Sequence, residues 1–345
     1  MSVPRTYREA GVDVAEAERA VEGIARAAAA SLTPSVLGGI GGFGALFRFD
    51  PSTHPDPILV SSTDGVGTKL KVAVALGRHD SIGVDLVHAC VNDILVSGAD
   101  PLFLLDYLAV GDLRADTVEE IVGGVAAACA AAGIPLIGGE TAELPGLVAD
   151  GEYDLAGFVV GVVARADLID GSRARPGDVL LGIPSSGLHT NGYSLARRVL
   201  PPETWSKPMP DNGRTIGEAL LEPHRSYLDE TRALRRALRE IGADVHAFSH
   251  ITGGGWEGNV PRTLLNGLGV EVDTGSWKVP KIFSLIQSRG DIADEEMVRT
   301  FNVGIGMTAV VPPTGADAAL AAVPDARRIG RVIEVPGGEP RVRFG

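Results

Sequence analysis

Short apolar runs along this chain stop abruptly at glycine-rich or acidic turns, the pattern of buried strands and helices that deliver polar loops. The sharpest boundary is at Ile58-Leu59-Val60, a predicted strand that ends in Ser61-Ser62-Thr63-Asp64-Gly65-Val66-Gly67-Thr68-Lys69. Before it, Val12, Val14, Val21 and Ile24 recur among alanines and acids, which predicts a loosely held helix over residues 12–31. After it, residues 85–98 read as a largely apolar helix closed by Gly98, with Asp85 at its start as a cap. Residues 102–110 then read as a strand and 117–132 as a helix. Residues 134–137 form a strand predicted to enter an acidic loop, Gly138-Gly139-Glu140-Thr141-Ala142-Glu143, and 153–163 form a closing strand.

The pattern restarts after residues 167–176, where Asp170-Gly171-Ser172 and Arg175-Pro176-Gly177-Asp178 punctuate the chain. Strands are expected at 179–183, 269–272, 303–311 and 326–335, and helices at 193–200, 227–241, 280–288, 294–299 and 316–322. Two α/β domains follow, residues 1–168 and 169–345, which suits a chain of 345 residues that is 45% hydrophobic.

Charge narrows the partners. With 31 Lys+Arg against 44 Asp+Glu and a net charge of −13, nucleic acid is disfavoured. A phosphorylated ligand must be met locally by helix N-termini, glycine-loop amides or Mg²⁺. Cys90 and Cys129 make no disulfide framework, and residues 1–10 carry charges in place of a signal-peptide core, so a cytoplasmic setting is expected. The uncharged stretch 121–139 is broken by Gly133 and Pro135 and reads as a buried helix plus strand, not a membrane span.

Candidate chemistry sits at the strand ends. Asp64 offers a carboxylate to a hard cation, Gly65 and Gly67 let backbone amides approach an anion, and Lys69 offers a point charge to phosphate. Asp93, on the apolar helix, and Glu140, after its glycine pair, are the next metal candidates. Gly39, Gly41 and Gly44 match the spacing of a dinucleotide-binding loop. Their run, however, follows Thr33-Pro34 and leads into a strand, so a flap over phosphates or a linker is expected instead. In the second half, His189 and Asn191 lie in a polar turn before a helix. Thr252-Gly253-Gly254-Gly255 forms a second possible anion cradle. His246 and His250 are four apart without the glutamate of a metalloprotease, so that pair predicts no zinc site.

Taken in order, Gly38 to Gly44, Ser62 to Lys69, Val91-Asn92-Asp93, Gly138 to Glu143, Ser185-Ser186-Gly187-Leu188-His189-Thr190-Asn191-Gly192-Tyr193-Ser194 and Thr252 to Gly255 resemble the phosphoribosylformylglycinamidine cyclo-ligases, the aminoimidazole ribonucleotide synthetases of purine biosynthesis. The likeness starts at Tyr7-Arg8-Glu9-Ala10-Gly11-Val12-Asp13 and runs to about Arg331. It implies a two-domain protomer whose N-terminal strands join a second copy's in a dimeric β-barrel, with a C-terminal α/β sandwich. It also implies ATP-dependent closure of formylglycinamidine ribonucleotide to aminoimidazole ribonucleotide through an iminophosphate, releasing ADP and phosphate. On this likeness Gly41, Gly42, Gly44, Thr63, Asp64, Gly65, Lys69, Asp93, Gly139 and Glu140 would hold ATP, with Mg²⁺ on Asp64, Asp93 and Glu140. His189, Asn191, Gly253 and Gly254 would meet the substrate, and His189, Asp64 and Lys69 would be catalytic. The family's lysines in the N-terminal helix are missing: the stretch here is Ala25-Arg26-Ala27-Ala28-Ala29-Ala30, and Lys69 is the first lysine of the chain. Thiamine-phosphate kinase shares the framework, and a nucleotide-binding regulatory dimer without turnover is the non-enzymatic alternative.

Overall fold

The structure, a computed structural model, describes residues 6–7, 12, 14–210 and 213–345; residues 8–11 and 13 of the opening motif lie outside the described residues. The chain divides into two compact units, Met1–Val91 with Asp100–Val162, and Asn92–Ala99 with Val163–Gly345.

In the first unit, α1 (Val14–Ala29) precedes β1 (Pro57–Gly65), α2 (Leu70–Leu76) and α3 (Asp80–Leu95). Then come β2 (Asp100–Val110), α4 (Ala115–Ala132), β3 (Leu136–Glu143) and β4 (Tyr153–Ala164). The sheet order is β1-β4-β2-β3, with β3 parallel to β2 across the α4 crossover and β4 antiparallel to β2. Helices α3 and α4 approach backbone to backbone through Gly83 and Gly124. A Cβ on Gly83 would lie 2.2 Å from the Val125 nitrogen, so neither helix tolerates a larger residue there. The other sheet face stays open and apolar: Tyr107 and Phe158 are each 43% exposed, and Leu105 pairs with Phe158.

Three sequence expectations change here. The acidic stretch 138–143 is strand, not loop, because its ladder to β2 continues through Asp106↔Gly139 and Tyr107↔Glu140. Helix α3 starts at Asp80, so Asp85 is an interior residue and caps nothing. Asp64 is likewise in the ladder, the penultimate residue of strand β1.

The second unit holds β5 (Val179–Pro184), α5 (Tyr193–Val199), α6 (Ile216–Leu220), α7 (Leu228–Glu240), β6 (Ala247–His250) and α8 (Gly255–Asn259). It continues with β7 (Leu268–Val272), α9 (Lys281–Gly290), α10 (Asp294–Thr300), β8 (Ile305–Val311), α11 (Ala316–Ala322), β9 (Arg327–Glu334) and β10 (Val342–Phe344). Its six strands run β10-β7-β9-β5-β8-β6, antiparallel except for the β10/β7 edge pair. Trp256, Val270, Val272, Ile305 and Ile329 build its core. The architecture is mixed α/β with two sheets. Among the described residues no helix is long and apolar enough to cross a membrane.

Candidate active site

The first unit forms a cleft of about 480 Å³ along β3. Gly41, Gly42 and Gly44 line it with Asp106, Gly139 and Glu140, so the glycine run and the Gly-Gly-Glu strand share one cavity. Gly139 is required there, since a Cβ would lie 2.1 Å from the Asp106 carboxylate. Asp106 escaped the sequence reading; its only signal was a lone acid in the apolar strand 102–110. Burial pushes its carboxyl from 3.8 up to about 7, the profile of a functional carboxylate in a cleft. The folded protein keeps this proton up to about pH 7 while the unfolded chain releases it near 3.8, so the stability it contributes falls as pH rises through that window. Asp106→Asn is therefore expected to gain stability over wild type by a few kcal/mol on going from pH 4 to pH 8, read as the difference in denaturant midpoints at the two pH values.

Asp64 lies at the opposite edge of the same sheet. Thr63 Oγ1 donates to the Gly157 carbonyl (2.9 Å) and the Val66 amide to the Leu155 carbonyl (3.2 Å), which fastens the end of β1 to β4. Asp64 and Glu140 lie on the two edge strands of the sheet, three strand spacings or about 14 Å apart, too far to chelate one ion within a single sheet. Both are oxygen donors suited to Mg²⁺, and Asp64 Oδ1 accepts the Gly65 amide at 2.8 Å. Lys69 meets a carboxylate of α3. Its side chain is fully buried, with Nζ 2.7 Å from Asp85 Oδ2.

In the second unit the Ser185–Gly192 turn is rigidly built. Asn302 Oδ1 accepts from the Ser185 hydroxyl, and Asn302 Nδ2 donates to the Gly187 carbonyl. His189 sits at φ 64 and is fully buried, a left-handed backbone rare for a side chain of this size and frequent at functional turns. Its Nε2 accepts from the Ser186 amide (3.3 Å), which leaves the proton of the neutral ring on Nδ1. The ring stacks on His224 with centroids 3.9 Å apart. Gly306 admits the cluster: a Cβ there would meet the Tyr227 hydroxyl at 2.1 Å and His189 Cε1 at 2.5 Å. Asn191 lies two residues on, and Gly253 packs against it, with a Cβ position 3.3 Å from Asn191 Oδ1. Gly254 has φ 87 and starts α8. Sequence-predicted His189, Asn191 and Gly253 therefore come together. Asp93 Oδ1 accepts from His250 Nδ1 at 2.9 Å, and His250 Nε2 faces His224 Nε2 at 3.1 Å. The roles of His224 and His250 were not legible, because residues 26 positions apart give no local signal.

The chain is an AIR synthase related protein by both halves: the N-terminal domain model of that family matches residues 41–163 and the C-terminal domain model residues 175–343. Solved structures share the architecture. E. coli HypE, a hydrogenase maturation protein, superposes with TM-score 0.67 at 20% identity over 95% of this chain and 93% of its own. Thiamine-monophosphate kinase from Stenotrophomonas maltophilia gives 0.65 at 21% identity over 92% and 94%. Sequence relatives are much nearer. The phosphoribosylformylglycinamidine cyclo-ligase of Anaeromyxobacter sp. is 53% identical over 97% of both chains, and that of Desulfitobacterium hafniense 52% over 90% of this chain and 91% of its own. The chain belongs to the phosphoribosylformylglycinamidine cyclo-ligase family.

Proposed function

We propose that this protein closes the imidazole ring of purine biosynthesis, converting formylglycinamidine ribonucleotide and ATP to aminoimidazole ribonucleotide, ADP and phosphate. The observation that carries the reading is identity above 50% with cyclo-ligases over both units. A HypE solved in complex with ATP, with TM-score 0.64 at 19% identity over 92% of this chain and 88% of its own, shares the fold alone.

An amide oxygen is a poor leaving group. Transfer of the γ-phosphoryl to the formyl oxygen gives an iminophosphate, and phosphate departs as the neighbouring nitrogen attacks. The protein's task is to position the reactants and neutralise charge. Backbone amides of Gly41, Gly42 and Gly44 suit the phosphates in the β3 cleft, which Glu140 also lines; on the family likeness Asp64, Asp93 and Glu140 are each carboxylates that would serve Mg²⁺, not as ligands of one ion within a single sheet. Bound Mg²⁺ supplies charge neutralisation on the phosphates. His189 would hold or move a proton on the substrate side, with Asn191 and Gly253 orienting the ribonucleotide.

The span between Asp64 and Glu140 and the exposed Tyr107 and Phe158 face favour a homodimer whose two four-stranded sheets close on each other as a barrel. A cytoplasmic location fits the two reduced, buried cysteines. The deciding assay supplies formylglycinamidine ribonucleotide, ATP and Mg²⁺ and scores aminoimidazole product, with thiamine phosphate as control acceptor; absence of product sinks the reading. Asp64→Asn is expected to lower ATP turnover on the order of 10²-fold or more while the unfolding midpoint stays put, checked by ADP release at saturating Mg²⁺.

A further inference from the structure

The second unit carries three buried imidazoles, His189, His224 and His250, with one ring nitrogen of each within 4.8 Å of the other two. Their hydrogen bonds fix which nitrogens point inward. Asn92 Oδ1 accepts the Tyr227 amide (2.9 Å) and Asn92 Nδ2 donates to the Arg225 carbonyl (2.8 Å), so the amide orientation is set. The second Nδ2 hydrogen faces His224 Nε2 at 3.3 Å, which makes that nitrogen an acceptor. The Asp93 carboxylate accepts from His250 Nδ1 at 2.9 Å, which turns Nε2 toward His224. The Nε2 atoms of His224 and His250 lie 3.1 Å apart, so a cation between the rings would take the His224 lone pair in exchange for its long Asn92 contact.

We infer that His224 and His250, with His189 as third ligand, form a binding site for a Zn²⁺-class transition-metal ion. Zn–N bonds of about 2.0–2.1 Å in a tetrahedral arrangement set neighbouring ligand nitrogens about 3.3 Å apart, close to the separation present. Imidazole suits this class of ion, whereas Mg²⁺ prefers oxygen. The Asp93–His250 bond supplies the carboxylate–histidine support that orients metal-binding imidazoles. His189 stacks on His224 with one ring nitrogen already within 4.8 Å of theirs, and ligation by Nε2 exchanges its long bond from the Ser186 amide for one to the ion. Three protein ligands leave one position open. Capture of His189 takes it from the substrate, so Zn²⁺ inhibits turnover; that consequence, unlike the binding itself, rests on the proposed function.

The test uses the whole purified chain with excess Mg²⁺ to fill carboxylate sites. One equivalent of Co²⁺ as probe is expected to give the intense visible d–d band of a tetrahedral nitrogen site, without a thiolate charge-transfer band, and Zn²⁺ is expected to displace it one for one. His224→Gln should lose the band while circular dichroism shows a folded chain. In wild type carrying ¹⁵N-histidine, Zn²⁺ should shift the ring nitrogens of the buried trio and leave His54 and His246 unmoved. No stoichiometric binding, a band that survives His224→Gln, or a thiolate band overturns the inference. Activity without Zn²⁺ binding defeats this inference alone, and Zn²⁺ binding without aminoimidazole product defeats the functional reading alone.

Discussion

Lys69→Met is expected to destabilise the first unit by about 3–5 kcal/mol, the loss seen when one partner of a buried ion pair is removed. Lys69 Nζ lies 2.8 Å from Asp85 Oδ1 and 2.7 Å from Oδ2, and both side chains are fully shielded from water. Deleting the ammonium leaves the Asp85 carboxylate desolvated inside α3 with its cationic partner gone. The double variant Lys69→Met/Asp85→Leu removes both charges and replaces them with apolar groups, and should recover most of the loss. Urea unfolding of wild type, both single variants and the double variant measures the coupling. A single variant that unfolds at the wild-type midpoint yet turns over no ATP would return Lys69 to the phosphate role read from its sequence context.

That pair shows where sequence reasoning reaches and where it stops. Strands β1, β2, β4, β5 and β8 were legible because apolar runs bounded by turn residues have few other uses. The same rule misread residues 138–143. Two glycines normally signal a turn, but Gly139 is in the ladder because the Asp106 carboxylate occupies the space a side chain would need. Lys69 and Asp85 show another limit: a lysine after a glycine loop suggests phosphate, and only the fold shows that its ammonium also meets the buried Asp85 carboxylate of α3. Short edge strand β10 and strand β6 left no separate signal, since three or four residues are too few to establish a period.

The candidate site divides the same way. Gly41, Gly42, Gly44, Gly139 and Glu140 were legible as motifs and meet in one cleft, as His189, Asn191 and Gly253 meet in another. Asp106, His224 and His250 have no motif. Their importance arises from burial and from neighbours distant in the chain, quantities that exist only after folding.

His189→Asn is expected to lower kcat of the proposed cyclo-ligase reaction by about 10²–10⁴-fold, the range for losing a positioned proton-transfer group. Asparagine is the cleaner replacement because His189 occupies φ 64, a left-handed conformation that Asn adopts with little strain and Ala does not. The turn is held independently by Asn302, through the Ser185 hydroxyl and the Gly187 carbonyl, so the backbone should stay in place. The imidazole is lost from a pocket enclosed by His224 and Tyr227. The KM for ATP should stay near wild type, because the glycine cleft that the reading gives to ATP is built from first-unit residues alone. A group acting only in the transition state lowers kcat and kcat/KM for the ribonucleotide together. Steady-state kinetics with each substrate varied in turn separates these cases. A raised KM for ATP with kcat unchanged would move His189 from proton handling to nucleotide binding, and an unchanged kcat with a lowered unfolding midpoint would make it a packing residue of the second unit.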